Sequence, residues 1–98
     1  MLKINHIDHI NLNVADLAKT VEFYKNHFDF KIYEEGHSAM SGSAYKIIGI
    51  SNKIMLCIYE VKELPQNQGI NHIGFHIERF DEALDYLRDQ GFELLYGG

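Results

Sequence analysis

The chain has 98 residues, of which 46% are hydrophobic and 23% charged, and its formal net charge is −5 with neutral histidines. This size fits one domain with a modest core, and an acidic chain without a basic cluster is not expected to bind nucleic acid or an anionic membrane surface. No apolar run approaches the roughly 20 residues of a membrane span, no signal-peptide pattern is present and the single Cys57 has no internal partner, so we expect a cytoplasmic protein.

The first predicted strand covers residues 7–14 and alternates strictly between apolar and polar side chains. Ile10, Leu12 and Val14 fall on one face. The opposite face carries His9, Asn11 and Asn13. A period of two is typical of a strand that buries one face, so the polar face is a candidate pocket wall.

A helix is predicted next, from the N-cap residue Asp16 to about Phe28. Its apolar residues recur every three or four positions, which indicates one buried stripe: Leu17, Val21, Tyr24 and Phe28. His27 lies near the helix C-terminus, where we expect it to interact with the helix dipole.

Three further strands are predicted, over residues 30–35, 44–50 and 54–61. In the first of these, alternation places Phe30, Ile32 and Glu34 on one face and Lys31 and Tyr33 on the other. Residues 36–43 are small and polar and predict a loop, and residues 51–53 predict a turn. In strand 54–61 the face opposite Ile54, Leu56 and Ile58 carries Met55, Cys57 and Tyr59.

The second half begins with a connector over residues 62–69, which contains the only proline. A strand is predicted over residues 70–77, a helix over 80–90 and a last strand over 92–96. The buried stripe expected for this helix consists of Phe80, Ala83, Leu84 and Leu87, and Gly91 ends the helix.

The strand at 70–77 repeats the first one, with His72 in the place of His9. The element order is therefore βαβββ, linker, βαβ, which predicts an internal duplication within an α+β fold. Module one covers about residues 6–61, the linker 62–69 and module two 70–98. Module two is two strands short, so we expect either a continuation beyond Gly98 or a second chain that supplies the missing edge.

The sequence resembles the vicinal-oxygen-chelate superfamily, which includes glyoxalase I, the bleomycin- and fosfomycin-resistance proteins and the extradiol dioxygenases. Its marks are Asp8-His9-Ile10-Asn11-Leu12-Asn13-Val14-Ala15-Asp16-Leu17, Phe23-Tyr24 and Asn71-His72-Ile73-Gly74-Phe75. Phe28-Asp29-Phe30 departs from the family's usual Leu-Gly-Phe-like corner. The resemblance implies paired βαβββ modules (a glyoxalase-like fold), of which the second is incomplete here, and a homodimer.

The resemblance also implies that His9 and His72 bind one divalent metal ion, of the Zn, Ni, Mn or Fe kind. A glutamate on a strand beyond Gly98 is expected to complete the ligand set. Some family members add a glutamate at the position of Cys57, and Glu60 lies off that face by alternation. The residue chemistry agrees, because two imidazoles from different strands leave coordination positions open for a substrate.

Five further residues are predicted to contact the substrate: Asn11, Asn13, Cys57, Tyr59 and His76. His76 follows His72 by four residues, about 13 Å along a strand, which is too far for both to bind one ion. A strand histidine is ordinarily exposed or hydrogen-bonded, so the metal assignment depends on the resemblance.

Three functions are compatible with the sequence, and the residues identify no catalytic acid or base. The first is a metal-dependent enzyme acting on a small polar oxygenated substrate by lyase or isomerase, thiol-transfer or dioxygenase chemistry. The second is a metal-free protein that sequesters a small molecule, as the bleomycin-resistance relatives do. The third is a non-catalytic interaction domain, against which the polar histidine-bearing face argues.

Overall fold

The computed structural model describes residues 2–63 and 77–94 of the chain. In chain order the elements are β1 (Ile10–Val14), α1 (Leu17–Phe28), β2 (Lys31–His37), β3 (Ala44–Ile50), β4 (Ile54–Glu60) and α2 (Phe80–Asp89). The first five form the predicted βαβββ module, which confirms the α+β fold. The predicted strand at 70–77, apart from Ile77, lies outside the described residues, and His72 and His76 lie there with it.

The four strands form one mixed sheet in the order β1-β4-β3-β2. β1 pairs in parallel with β4, and the other two pairings are antiparallel. Residues that lie directly opposite each other on neighbouring strands point to the same face of a sheet. The register therefore decides which side chains of distant segments meet.

One face of the sheet is apolar, and α1 covers it. Ile48, Leu56 and Ile58 are fully buried there, against Leu17 and Val21 of the helix. Ile10, Leu12 and Val14 of β1 pack at the margin of this core and are half-buried. The alternation read from the sequence is thus confirmed in β1 and β4, and it leaves the other face to polar groups.

The ends of α1 follow the predicted chemistry. The Asp16 carboxylate accepts a hydrogen bond from the Lys19 N–H at 3.0 Å, which caps the first turn. Asp29 ends the helix with φ at 56°, a left-handed conformation in which glycine is the commonest residue. Aspartate tolerates this conformation better than most side chains, which explains how the chain departs from the family's glycine at this corner.

The structure corrects two predicted strand boundaries. β1 begins at Ile10 rather than at residue 7, and residues 2–9 are exposed. β2 runs to His37, because Gly36 pairs with Tyr45 and His37 pairs with Ala44. Gly36 and His37 therefore belong to a strand and not to the predicted loop.

A bulge in β2 corrects the predicted side-chain pattern. Ile32 lies opposite Ile48, but the next paired residue, Glu34, lies opposite Ile47, so Tyr33 is the extra residue. A bulge shifts all later side chains of a strand to the other face. Glu34 therefore does not share a face with Ile32, contrary to the alternation read from the sequence.

Helix α2 is less buried than its sequence predicts. Phe80 is 58% exposed, and Ala83, Leu84 and Leu87 are only half-buried, so the predicted stripe is wrong for Phe80 and partial for the rest. Gly91 follows the helix with φ at 86°, as its predicted role requires. Of the predicted strand 92–96, residues 92–94 form no strand and the others lie outside the described residues.

Neither helix of the described ranges is long and apolar enough to cross a membrane.

Candidate functional site

The face of the sheet opposite α1 carries two rows of mostly polar side chains. In one row Asn11, Cys57, Ile47 and Glu34 lie opposite one another across β1, β4, β3 and β2. The next row runs from Asn13 through Tyr59 and Tyr45 to Gly36. We call these two rows the polar face. The structure thus brings Asn11, Asn13, Cys57 and Tyr59 to one surface, and their contact with a substrate stays a prediction.

His9 immediately precedes β1, and its imidazole is held by the neighbouring carboxylate. His9 Nδ1 lies 2.9 Å from Asp8 Oδ2, and the His9 side chain is 48% exposed. An ionised carboxylate only accepts, so Nδ1 is the nitrogen that carries the proton and Nε2 keeps its lone pair in the neutral ring. Metal-binding histidines are typically oriented in this way, so the Asp8–His9 pair fits a metal ion at Nε2.

The second predicted ligand cannot be placed beside the first. His72 and His76 lie outside the described residues, and within residues 2–63 and 77–94 no three His, Cys, Asp or Glu side chains group around a common point. The metal site formed by His9 and His72 therefore stays a prediction that one half-exposed, correctly oriented imidazole supports.

Cys57 and Tyr59 lie two residues apart at the centre of the polar face. Cys57 is buried, and Tyr59 hydrogen-bonds to its thiol. This hydrogen bond, and then the repulsion that a thiolate would exert, raise the pKa of Tyr59 above its usual value of 10.0. The Tyr59 phenol is therefore neutral at physiological pH and serves as a hydrogen-bonding group rather than as a base.

Two further polar residues lie on this face and were not predicted there: Tyr45 and Glu34. The Tyr45 hydroxyl donates to Glu34 Oε2 at 2.7 Å, and the rings of Tyr45 and Tyr59 are 5.4 Å apart. The carboxylate that accepts this proton raises the pKa of Tyr45, since ionised Tyr45 would face a second negative charge. Tyr45 could have been found by alternation in strand 44–50, because it lies three residues before the core residue Ile48 and therefore points to the opposite face. Glu34 could not, because the bulge changes its face.

Glu60 belongs to the opposite face, as alternation predicts. Its carboxylate accepts the Leu17 N–H of α1 at 3.0 Å and pairs with Lys62 at 3.1 Å. These two contacts lower the pKa of Glu60 despite an opposing effect of burial. Glu60 thus fixes the start of α1.

An open cleft of about 620 Å³ adjoins the Asp8–His9 pair. It lies between the segment that leads into β1 and the turn that joins β3 to β4. Its walls are His6, Ile7, Asp8, Ile50, Ser51, Asn52, Lys53, Ile54 and Met55. A cleft of this volume is within the range of small-molecule sites.

The fold and the polar face define a glyoxalase-like module, and the sequence confirms the family. Residues 6–97 match the Glyoxalase/Bleomycin resistance protein/Dioxygenase superfamily, to which the chain belongs.

A fosfomycin resistance protein and a metallothiol transferase are among its relatives. The chain is 36% identical to the fosfomycin resistance protein FosX of Listeria innocua, over 93% of this chain and 69% of that protein. It is 31% identical to the metallothiol transferase FosB of Staphylococcus saprophyticus, over 96% of this chain but only 61% of FosB. The chain thus spans less than two thirds of the length of FosB.

Solved structures of FosX are similar to this chain as well. FosX of Listeria monocytogenes, complexed with Mn(II) and a sulfate ion, superposes with a TM-score of 0.70 at 33% identity, over 93% of this chain and 75% of that one. A variant of the same FosX, complexed with Mn(II) and 1S,2S-dihydroxypropylphosphonic acid, gives the same TM-score of 0.70. The metal and the phosphonate are those of FosX.

Proposed function

We propose that this chain is part of a divalent-metal-dependent enzyme that modifies a small phosphonate of the fosfomycin kind. The observation that carries the proposal is the Asp8–His9 pair immediately before β1, in which Asp8 holds His9 Nδ1 and leaves Nε2 as the nitrogen that could bind a metal. The relatives at 31–36% identity support the substrate class. FosB is named a metallothiol transferase and FosX a fosfomycin resistance protein, and a FosX structure contains Mn(II) and a phosphonate.

His9 and His72 would hold the metal, for which Mn(II) is the first candidate. When bound, such an ion supplies positive charge that polarises a substrate oxygen. The side chains of the chain itself orient the substrate: the Asn11 and Asn13 amides offer both donors and acceptors, and the neutral Tyr59 hydroxyl adds a third polar group. Among the three chemistries compatible with the sequence, thiol transfer has the support of the FosB relationship.

The test is Mn(II) binding by isothermal titration calorimetry to the wild-type chain, His9→Ala and His72→Ala. The two variants are expected to lose at least about tenfold in affinity, because even the outer-shell partners of metal ligands contribute 10- to 100-fold. His37→Ala, at the far end of β2, is the matched control and should bind as the wild type does. Equal affinity in all four proteins would rule out the proposed ligands.

The same proteins test the metal-free alternative. If the wild-type chain binds 1S,2S-dihydroxypropylphosphonic acid equally well with Mn(II) and with a chelator, and His9→Ala changes nothing, the chain sequesters its ligand without a metal. If binding requires Mn(II) and His9, the metal-dependent site stands and the metal-free alternative is wrong.

We further propose that two chains form a homodimer. β1 is an edge strand of the described sheet, and the segment before it exposes Leu2 (97%), Ile4 (89%) and Ile7 (75%). A strand with a partner on only one side among the described residues, beside exposed apolar side chains, favours association, so light scattering should give the mass of two chains.

A further inference from the structure

We infer that Glu34 determines ligand specificity: together with Tyr45, it makes the β2–β3 side of the polar face accept a hydrogen-bond donor and reject an anionic group. This inference rests on the proposed function, because it requires that a ligand binds to this face. It adds the orientation of the ligand, with the phosphonate directed away from Glu34 and the hydroxyl-bearing carbons directed toward it.

The β2 bulge places Glu34 on the polar face. Glu34 lies opposite Ile47, which itself lies opposite Cys57, so its side chain belongs to the same row of the polar face as Cys57 and Asn11, with Ile47 between Glu34 and Cys57. Its neighbour Glu35 lies opposite Lys46 on the other face and pairs with the Lys46 ammonium at 3.3 Å. Two adjacent carboxylates thus have different surroundings, and only one of them faces the site.

The protons of the Tyr45–Glu34 pair limit what this surface can bind. An ionised carboxylate can only accept a hydrogen bond, so the single hydroxyl proton of Tyr45 is used in the 2.7 Å hydrogen bond to Glu34. The Tyr45 oxygen keeps a lone pair, and Glu34 keeps its second oxygen, Oε1. Both remaining groups are acceptors, so a ligand must bring the donor.

The charge of Glu34 is not neutralised within the described part of the chain. The ion pairs there involve Asp8, Glu35, Glu60, Glu82 and Asp85, and none involves Glu34. A phosphonate oxygen placed beside Glu34 would meet a like charge, whereas a hydroxyl donor would make a charge-assisted hydrogen bond.

The pair is also held in one place. The Tyr45 ring lies over Gly36, where a Cβ would come within 3.4 Å of it, and it packs against the Tyr59 ring at 5.4 Å. A side chain that is already ordered loses little conformational freedom when a ligand binds. The acceptor surface is therefore preformed.

The test compares two probes in the Mn(II)-loaded chain: 1S,2S-dihydroxypropylphosphonic acid and propylphosphonic acid, which lacks the hydroxyls. Glu34→Gln should bind the dihydroxy probe about tenfold more weakly, because a hydrogen bond to a charged acceptor is lost, while it binds propylphosphonic acid no more weakly than the wild type does. Glu35→Gln removes the same charge from the opposite face and should keep the wild-type preference.

A measurement without ligand checks the pair itself. In an ultraviolet titration of the tyrosines, the pKa of one phenol should be lower in Glu34→Gln than in the wild type. The same comparison between Tyr45→Phe and the double variant Tyr45→Phe/Glu34→Gln should show no such difference. Failure to see the lower pKa in Glu34→Gln would overturn the inference, because Glu34 would then not hold the Tyr45 proton in solution.

The binding outcomes separate the two proposals. Equal weakening of both probes in Glu34→Gln, or the same preference in Glu34→Gln and Glu35→Gln, overturns the role of Glu34 and leaves the proposed function standing. If the wild-type chain binds neither probe, the proposed function is wrong and the specificity that rests on it fails too.

Discussion

At the scale of single residues, the state of His9 depends on Asp8. The pair is close in sequence and largely exposed, with the Asp8 side chain 89% accessible, so the hydrogen bond contributes little to folding. Its effect is on the imidazole: a proton held at Nδ1 leaves Nε2 as the only nitrogen that can bind a metal. The carboxylate therefore belongs to the proposed site although it binds no ion itself.

Asp8→Asn should weaken Mn(II) binding by about 10- to 100-fold without unfolding the chain. The asparagine amide can still accept from Nδ1, but it lacks the charge that favours a single ring orientation. Calorimetric titration of Mn(II) measures the loss, and the exposed Asp89→Asn at the end of α2 controls for the changed net charge. Equal affinities in the two variants would mean that Asp8 acts only through net charge.

The residues of the polar face show what alternation can and cannot predict. His9, Asn11, Asn13, Cys57 and Tyr59 were all selected by a period of two, and the four that lie in strands share one face. Glu34 was assigned to the wrong face because a bulge adds one residue, and no local pattern in Lys31-Ile32-Tyr33-Glu34 announces it. The bulge depends on pairing with β3, which is a long-range property of the chain.

At the scale of elements, Glu60 connects the last strand of the module to its helix. The carboxylate accepts the Leu17 N–H, one of the unpaired donors in the first turn of α1, and lies at the positive end of the helix dipole. Asp16 satisfies a second donor of the same turn. The start of α1 is therefore fixed both by its own N-cap and by β4.

This contact predicts a pH-dependent contribution to stability. The Leu17 hydrogen bond and Lys62 lower the pKa of folded Glu60 below its ordinary value of 4.5. The stabilisation from Glu60 is therefore complete above about pH 5.5 and is lost as the pH falls through the folded pKa. Glu60→Gln should therefore be less stable than the wild type at neutral pH, and the difference should narrow below about pH 4.5.

Urea unfolding at a series of pH values measures this narrowing. Glu22→Gln on the exposed side of α1 is the matched control, since it removes a carboxylate without touching the Leu17 N–H. The role assigned to Glu60 would be contradicted if the difference in unfolding free energy between Glu60→Gln and the wild type stayed constant down to pH 3. It would also be contradicted if the difference for Glu22→Gln narrowed equally.

Elements with local signals were predicted well, and those that depend on pairing were not. α1 has an N-cap aspartate and a regular apolar stripe, and its predicted and observed bounds agree. The end of β2 was misplaced because Gly36 and His37 look like loop residues and become strand only by pairing with Tyr45 and Ala44. Tertiary pairing thus overrides weak local preference in β2.

At the scale of the whole molecule, an aromatic cluster joins the first module to α2. Phe92 packs edge-on against Phe23 and His27, with ring centroids 5.6 and 5.0 Å apart. The Tyr86 hydroxyl lies 2.8 Å from His27 Nδ1 and donates to the Asn26 carbonyl at 3.4 Å. The sequence predicted helix α2, but His27 was expected only to interact with the helix dipole, because its partner Tyr86 lies about 60 residues away.

Since α2 contributes no fully buried side chain, this cluster should control how readily the helix detaches from α1. Tyr86→Phe keeps the ring and removes the hydroxyl, at a cost of about 1 kcal/mol, so amide hydrogen exchange in α2 should accelerate about fivefold while β3 and β4 exchange as before. Tyr33→Phe, which removes the hydroxyl that accepts the Ser51 N–H at 3.1 Å, is the control and should leave α2 unchanged. If Tyr86→Phe instead accelerates exchange in α2 and in the sheet together, α2 opens only when the whole module unfolds. The aromatic cluster would then belong to one cooperative unit and would not be a local attachment.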